Sequence, residues 1–403
     1  MSYAFWASFA LIIYAYLGYP LLLWLISKLR RKPVAKTTIE PTVSIVMAVR
    51  NESTRLANKL RNLKELDYPS ARVEIVVVSD GSTDDTNELL RASTGIKALF
   101  RTSSEGKAAA LRAAIPFAKG EILLFTDVRQ EIERSALRAL VSNFGDPEVG
   151  CVSGELLFRS RSEGAAESGV SLYWRLEKLI RKLEAASGSV VGATGALYAA
   201  RRSLVPEIPA GTLLDDVYIP MAISRGGYRV VFEPAARAWD EEPKPGKGEF
   251  QRKVRTLAGN YQLLQLAPWL LSSSNRLWFR FVSHKLLRLA IPFLLAVLFI
   301  ASLAAWNENL YRAFAMAQAV FYALAFIGLA GWHRGRVISA AASFCLLNAA
   351  AAAALISFLR HKRSPTRLWS AQPSTIPFSD GGDFGQQRFD ATGVNISSAR
   401  NSQ

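Results

Sequence analysis

The segment VEIVVVSDGSTDD, residues 73–85, contains a nearly continuous β-branched run followed by an acidic loop with one glycine. Runs of this kind are typical of central parallel strands that are buried on both faces. A similar run, TVSIVMAV, occupies residues 42–49, and leucines recur at helical spacing between the two, over residues 53–66. Two apolar strands joined by such a helix predict a βαβ unit, and therefore an α/β domain with a parallel sheet.

The alternation continues, with strands predicted at residues 97–100 and 121–126 and a helix at residues 107–117. In such sheets the ligand lies at the carboxyl ends of the strands. Three polar segments follow strands there: Arg50-Asn51-Glu52, Ser79-Asp80-Gly81-Ser82-Thr83-Asp84-Asp85, and Thr126-Asp127-Val128-Arg129.

Each polar segment has an ordinary explanation, because Asp, Asn, Gly and Ser are the usual residues of turns and helix N-caps. Acidic side chains at three successive strand ends favour a ligand site instead. Carboxylates accept hydrogen bonds from the N–H and hydroxyl groups of a ligand, and glycine lets the backbone come close to it. Asp80 and Asp84 beside Gly81 provide both features.

Uncharged segments near both ends of the chain predict a multi-pass membrane protein. Residues 3–27 are long enough to span a bilayer, and the basic residues follow them, whereas a secretory signal has its charges first. Three more spans are predicted in the C-terminal region, residues 286–359. They occupy residues 286–306, 310–332 and 337–359. We therefore expect residues 41–243 to form a cytoplasmic domain at the plasma membrane, with the N-terminus outside.

The charge pattern of the C-terminal region contains a conflict. The basic loop at residues 332–336 indicates the cytoplasmic side, so strict alternation puts the basic residues 360–367 outside, against the positive-inside rule. Either the alanine-rich last segment crosses imperfectly, or the basic tail is tolerated outside.

The net charge of +16 does not require a nucleic-acid partner. The basic residues cluster beside the spans, where membrane lipid headgroups and a nucleotide diphosphate are sufficient partners. Cys151 and Cys345 are far apart, which suggests neither a disulfide framework nor a zinc site. Residues 370–403 are polar and predict a disordered tail.

A basic amphipathic helix is predicted at residues 249–265, within a region of interfacial helices at residues 249–283. Its apolar face carries Phe250, Val254, Leu257, Tyr261 and Leu264, and its polar face carries Arg252, Arg255 and Gln262.

The motifs together resemble those of the membrane-bound family 2 glycosyltransferases, inverting enzymes with a Rossmann-like GT-A fold that include cellulose, hyaluronan and poly-N-acetylglucosamine synthases. The segments that carry the resemblance are Arg50-Asn51-Glu52, Ser79 to Asp84, Gly106 to Leu111, Thr126-Asp127, Gly192-Ala193-Thr194-Gly195-Ala196, and Leu214-Asp215-Asp216. The resemblance covers residues 41–266 and the arrangement of the spans around them.

The resemblance implies roles for these residues. It puts Glu52, Asp80, Asp84, Lys107, Asp127 and Arg129 at the donor, a UDP-sugar. Lys107, at a helix start, is either a donor contact or a solvated first-turn lysine, and we favour the contact. Asp216 stands where the family has its general base, with Asp215 beside it, although both also suit a helix N-cap. Arg255 stands in the family's Gln-x-x-Arg-Trp motif and is expected to clamp the leaving group.

Two motifs depart from the family pattern. Arg129 replaces the second carboxylate of the DxD motif. Either Asp127 alone holds a Mg²⁺ or Mn²⁺ cofactor together with the diphosphate, which we favour, or Arg129 pairs with a neighbour such as Asp127 or Glu131 and helps to replace the ion. Arg252 and Thr256 replace the ends of the Gln-x-x-Arg-Trp motif, which accompanies processive synthesis. Metal use and processivity are the two properties affected by these changes.

The function implied is inverting transfer of a hexose to a glycan or lipid-linked acceptor in cell-surface or exopolysaccharide synthesis. One alternative is transfer of a single sugar to a membrane lipid, since four spans form a small bundle. The other is a non-catalytic nucleotide-sensing subunit of a polysaccharide complex, which the altered DxD motif would suit.

Overall fold

The computed structural model describes residues 2–159, 169–241, 247–331 and 335–361. Residues 332–334 of the predicted cytoplasmic loop, residue 243 at the predicted end of the α/β domain, and the predicted disordered tail at residues 370–403 lie outside the described residues, as does the basic tail after residue 361.

One mixed sheet forms the centre of the α/β domain. In chain order its strands are β1 (Val43–Val49), β2 (Val73–Asp80), β3 (Lys97–Arg101), β4 (Ile122–Thr126), β5 (Glu131–Ile132), β6 (Val149–Arg159), β7 (Leu197–Arg201) and β8 (Arg229–Glu241). Their spatial order is β3-β2-β1-β4-β7-β6-β8-β5. The first four are parallel, as the βαβ pattern predicts, whereas β7 is antiparallel to both β4 and β6.

Helices cover both faces of the sheet. Those of the α/β domain are α2 (Ser53–Lys64), α3 (Thr86–Ala92), α4 (Lys107–Ala114), α5 (Ala136–Ser142), α6 (Gly169–Ala186) and α7 (Asp215–Arg225). Successive side chains of a strand point to opposite faces. Ile45 of β1 accordingly packs in a core with leucines of α2 and α5, and Val46 packs in a second core with residues of α4 and α7. Burial on both faces explains the unbroken apolar runs of the central strands.

Among the described residues, four helices are long and apolar enough to cross a membrane: α1 (Ser2–Leu29), α9 (Trp278–Ala304), α10 (Asn309–Leu329) and α11 (Arg336–His361). Phe5 of α1 makes an edge-to-face contact with Tyr311 of α10, with ring centroids 4.8 Å apart. The helix that contains the predicted second span, residues 286–306, begins earlier, at Trp278, and includes His284. Polar residues are accommodated in this helix because they contact buried glutamates of α6.

Helix α8 (Lys247–Leu266) connects the α/β domain with the apolar helices. A Cβ at Gly259 would lie 2.6 Å from Cγ of Leu214, so the helix packs tightly against the residues before α7. Tyr261, on the face predicted to be apolar, stacks on Phe358 of α11 at 5.9 Å.

Candidate active site at the carboxyl ends of the parallel strands

A lysine joins the carboxylates of two distant segments. Lys107 Nζ lies 2.9 Å from Asp127 Oδ1 after β4 and 3.5 Å from Asp215 Oδ2 at the start of α7. Burial alone would lower the pKa of Lys107, but the charges of Asp127 and Asp215 raise it above its usual value. Lys107 is therefore a fixed cation between these two carboxylates.

Asp80 holds the loop that presents Lys107. Its carboxylate accepts hydrogen bonds from Ser104 Oγ (2.8 Å) and from the backbone N–H groups of Glu105 (3.1 Å) and Gly106 (2.8 Å). Gly81 has φ +65°, and a Cβ there would lie 2.6 Å from the backbone nitrogen of Ser104. Asp80 is only 2% exposed, and its hydrogen bonds to residues 104–106 hold the shape of this loop.

The loops after β1 and β2 are bonded to one another. Asp84 accepts the backbone N–H of Ser53 at 3.1 Å, and Asn51, with φ +53°, accepts that of Thr83 at 2.8 Å. Burial raises the pKa of Asp84, but hydrogen bonds from Thr86 and Ser53 outweigh it and leave the pKa below its usual value. Glu52 pairs with Arg55 at 3.1 Å, at the same edge.

The two aspartates that begin α7 have different surroundings. Asp215 is 3% exposed, whereas Asp216 is half-buried and accepts the backbone N–H of Gly195 at 3.0 Å. Burial, followed by the charge of Asp215, raises the pKa of Asp216 from 3.8 to about 6. Burial also raises the pKa of Asp215. A carboxylate with a pKa near 6 is well suited to accept a proton at neutral pH.

Arg129 does not pair with Asp127 or Glu131, the neighbours considered for it from the sequence. Its Nη2 lies 2.6 Å from Oδ2 of Asp240 in β8, which is buried, and Glu131 pairs with Arg159. A buried carboxylate is costly without a partner, so the ion pair with Asp240 explains the position of Arg129. The positive charge of Arg129 is therefore neutralised by Asp240 rather than by Asp127.

Helix α8 presents its arginines differently. Arg252 pairs with Glu249 at 2.7 Å. Burial and the charge of Arg252 lower the pKa of Arg255, and the charge of Asp127 partly opposes this. Arg255 thus lies within electrostatic range of Asp127.

Lys59 was missed in the sequence analysis. It is 3% exposed beneath the Asp127 loop, and its Nζ donates to Thr126 Oγ1 (3.0 Å) and to the carbonyl of Gln130 (2.7 Å). Burial lowers its pKa from 10.5 to about 7, against the opposing charge of Asp127. The signal was its spacing, because Lys59 follows Leu56 by three residues and so lies on the buried face of α2.

Asp127 is the candidate metal ligand, and its carboxylate is 40% exposed. Within residues 2–159, 169–241, 247–331 and 335–361, no three His, Cys, Asp or Glu side chains are grouped to hold a metal ion. Mg²⁺ is commonly bound by one or two carboxylates together with water and substrate phosphates. Asp127 fits a metal that is held jointly with a diphosphate, and does not fit an all-protein metal site.

Comparison with known proteins agrees with this arrangement. A sequence model described as glycosyl transferase family 2 matches residues 44–207, and a second, described as glycosyl transferase family group 2, matches residues 132–333. The chain belongs to glycosyltransferase family 2. The second match extends from the α/β domain through the first two of the three C-terminal apolar helices.

This family 2 glycosyltransferase has curated relatives and a similar solved structure. It is 25% identical over 243 residues to the poly-beta-1,6-N-acetyl-D-glucosamine synthase of Staphylococcus aureus, and the match covers 59% of this chain and 58% of that relative. It is 26% identical over 236 residues to the probable glycosyltransferase YdaM of Bacillus subtilis, covering 55% of each. The chain thus matches little more than half the length of these relatives.

The solved structure is that of the mannosyltransferase PcManGT from Pyrobaculum calidifontis, in complex with GDP-Man and Mn²⁺. The TM-score is 0.67 at 25% identity, over 88% of this chain and 99% of that one. The predicted GT-A-like fold and the predicted family are confirmed.

Proposed function

We propose that this protein transfers a hexose from a nucleoside-diphosphate sugar to a hydroxyl group, with inversion at the anomeric carbon. The observation that carries the proposal is the position of Lys107 between Asp127 and Asp215, with Asp216 beside them at a pKa of about 6. These groups supply what glycosyl transfer needs, which is a base for the attacking hydroxyl and positive charge near the departing diphosphate.

In the proposed reaction, the acceptor oxygen forms a bond to the anomeric carbon as the bond from that carbon to the diphosphate breaks. The acceptor proton passes to Asp216, and the diphosphate leaves with the bonding electron pair. Lys107 and Arg255 stabilise the charge that develops on the diphosphate. Asp215, paired with Lys107, keeps this ammonium in place.

The nucleotide is proposed to bind at the ends of β1 and β2. The polar side chains there include those of Glu52 and Asp84, and the loop that Asp80 holds lies at the same edge of the sheet. Arg129, 43% exposed, is proposed to border the diphosphate from the Asp240 side. We propose UDP as the nucleotide, on the motif at residues 79–84, with GDP as the rival, since the similar solved structure contains GDP-Man.

A divalent metal is proposed to bind Asp127 together with the diphosphate. It would neutralise charge on the leaving group, and the Mn²⁺ of the similar mannosyltransferase supports a divalent ion in general. If Asp127 is the sole protein carboxylate on the ion, activity should require millimolar Mg²⁺ or Mn²⁺. Full activity after exhaustive EDTA treatment would refute metal dependence.

We propose a membrane location with the α/β domain on the cytoplasmic side, and a glycan or lipid-linked acceptor. The four long apolar helices support the location. The polymer-synthase relative supports repeated transfer to a glycan. Subunits of an exopolysaccharide complex in the same membrane are proposed as partners. The second candidate is transfer of one sugar to a membrane lipid, which the small bundle of four apolar helices among the described residues would suit.

The test uses full-length protein in detergent with added lipid extract. Radiolabelled UDP-sugars and GDP-sugars are supplied one at a time, and the products are sized. A ladder of products indicates a polymerase, and one lipid-soluble product indicates a single-sugar transferase. Nucleotide binding without transfer or hydrolysis of any donor would refute the enzymatic proposal and favour a nucleotide sensor.

A further inference from the structure

A buried glutamate joins two apolar helices to a loop of the candidate active site. Glu184, near the end of α6, is fully buried. Its Oε1 accepts the hydroxyl of Tyr19 in α1 at 2.6 Å and lies 3.0 Å from Nδ1 of His284 in α9, and its Oε2 accepts the backbone N–H of Val191 at 3.2 Å. One carboxylate therefore contacts three separate parts of the chain.

Neighbouring groups hold this carboxylate firmly. Glu177 lies on the same face of α6 as Glu184, and its carboxylate is 3.1 Å from the other ring nitrogen of His284. Arg280 donates to the carbonyls of Glu184 and Ser189, each at 2.6 Å, and so satisfies backbone groups at the end of α6. Burial raises the pKa of Glu184, but His284 and the Tyr19 hydroxyl outweigh it, so the pKa lies below its usual value and Glu184 stays ionised.

The loop that Glu184 contacts leads directly to Asp216. The backbone N–H of Ala193 donates to the carbonyl of Asp216 at 2.7 Å, and that of Gly195 donates to its Oδ2 at 3.0 Å. Residues 190–196 are thus attached to Glu184 at one end and to Asp216 at the other. A shift of Glu184 would be transmitted to Asp216 through five residues of tightly bonded backbone.

We propose that Glu184 is a positioning residue for Asp216, and that Tyr19 and His284 fix Glu184 from the two apolar helices. The packing of α1 and α9 against α6 then controls the geometry of the base. Glu184 contacts no reacting atom in this proposal, and its kinetic consequence rests on the proposed function. Loss of a contact to Glu184 would weaken the hydrogen bonds of residues 190–196 whether or not the protein is a transferase.

Tyr19→Phe is the test variant, because it removes one hydroxyl and leaves the aromatic ring in place. Tyr14→Phe is its matched control. Tyr14 also lies in α1 and its hydroxyl is 2.9 Å from Oγ of Ser283 in α9, so it bonds the same two helices without contacting Glu184. A role in helix packing alone predicts similar results for the two variants.

Three measurements are made on the full-length protein in lipid nanodiscs: hydrogen exchange of the peptide covering residues 190–196, the affinity for UDP or GDP, and kcat for transfer. Tyr19→Phe should speed exchange in this peptide, leave nucleotide affinity unchanged, and lower kcat on the order of tenfold, since a misplacement of about 1 Å can cost ~100-fold. Tyr14→Phe should match the wild type. His284→Gln should reproduce the effects of Tyr19→Phe through the second contact.

Unchanged exchange at residues 190–196 in both Tyr19→Phe and His284→Gln would overturn the proposal. Equal effects of Tyr19→Phe and Tyr14→Phe would overturn it as well, since they would indicate general loosening of the helices. Faster exchange in a protein whose wild type transfers no sugar would support the positioning role of Glu184 and refute the proposed function instead.

Discussion

Replacement of Lys107 by methionine should move the pH dependence of the reaction upward. Lys107→Met keeps most of the side-chain volume and removes the ammonium group 3.5 Å from Asp215 Oδ2. At that distance and an effective dielectric constant of about 20, two unit charges interact by roughly 5 kcal/mol. Opposite charges this close typically lower a carboxyl pKa by about 1 to 3 units, so losing the lysine should raise it by a similar amount.

The sign follows from the role of the base. Asp216 accepts a proton only when it is ionised, and with Lys107 present its pKa is about 6. In Lys107→Met the acid limb of kcat/KM should therefore shift from near pH 6 to roughly pH 7 to 9. The limb reports the coupled pair Asp215 and Asp216 rather than either residue alone.

The assay measures initial transfer rates at subsaturating donor from about pH 5 to pH 9, where the acid limb of the free enzyme is visible. Lys107→Arg is the control, because it keeps the positive charge and should leave the limb near its original position. Nucleotide affinity is measured separately, since Lys107 is also proposed to contact the diphosphate. An acid limb that stays near pH 6 in Lys107→Met would refute the electrostatic reasoning.

Three further predictions concern single residues. Asp216→Asn should lose about 10²- to 10⁴-fold in kcat while nucleotide affinity is retained, because an amide cannot accept the proton; near-normal turnover would exclude Asp216 as the base. Arg255→Ala should lower kcat far more than Arg252→Ala, which loses a pair with Glu249, and Arg255→Lys should rescue poorly because the planar fork is lost; equal small effects would mean that neither binds the diphosphate. Arg129→Ala should destabilise the protein by about 1 to 3 kcal/mol, since buried Asp240 loses its cation, whereas Arg159→Ala, from an exposed pair, should have a small effect; thermal unfolding in detergent compares them.

Much of the candidate site followed from local sequence. Parallel strands end at one edge of a sheet, so the positions of Asp80, Asp84 and Asp127 after their strands were sufficient to predict that these residues lie at the same edge. Lys107 was expected at this edge because it starts the helix before β4. The partners of these residues were not predictable in the same way.

Long-range pairing accounts for what was missed. Arg129 and Asp240 are separated by 111 positions, and β8 brings them together only through its pairing with β6 and β5. The early start of α9 has the same origin. A helix with His284 and Arg288 near its start reads as too polar to be part of a span until Glu177 is known to lie beside both.

The sequence by itself determined the parallel strands, the acidic loops that follow them, and the four long apolar helices, because each depends on the periodicity or chemistry of neighbouring residues. The tertiary structure decided which charges neutralise one another. It assigned Lys107 to Asp127 and Asp215, Lys59 to the backbone beneath the Asp127 loop, and Glu184 to two apolar helices. The physical reason is that the energy of a buried charge depends on its distance to other charges and hydrogen-bonding groups, and the chain fixes those distances only when it folds.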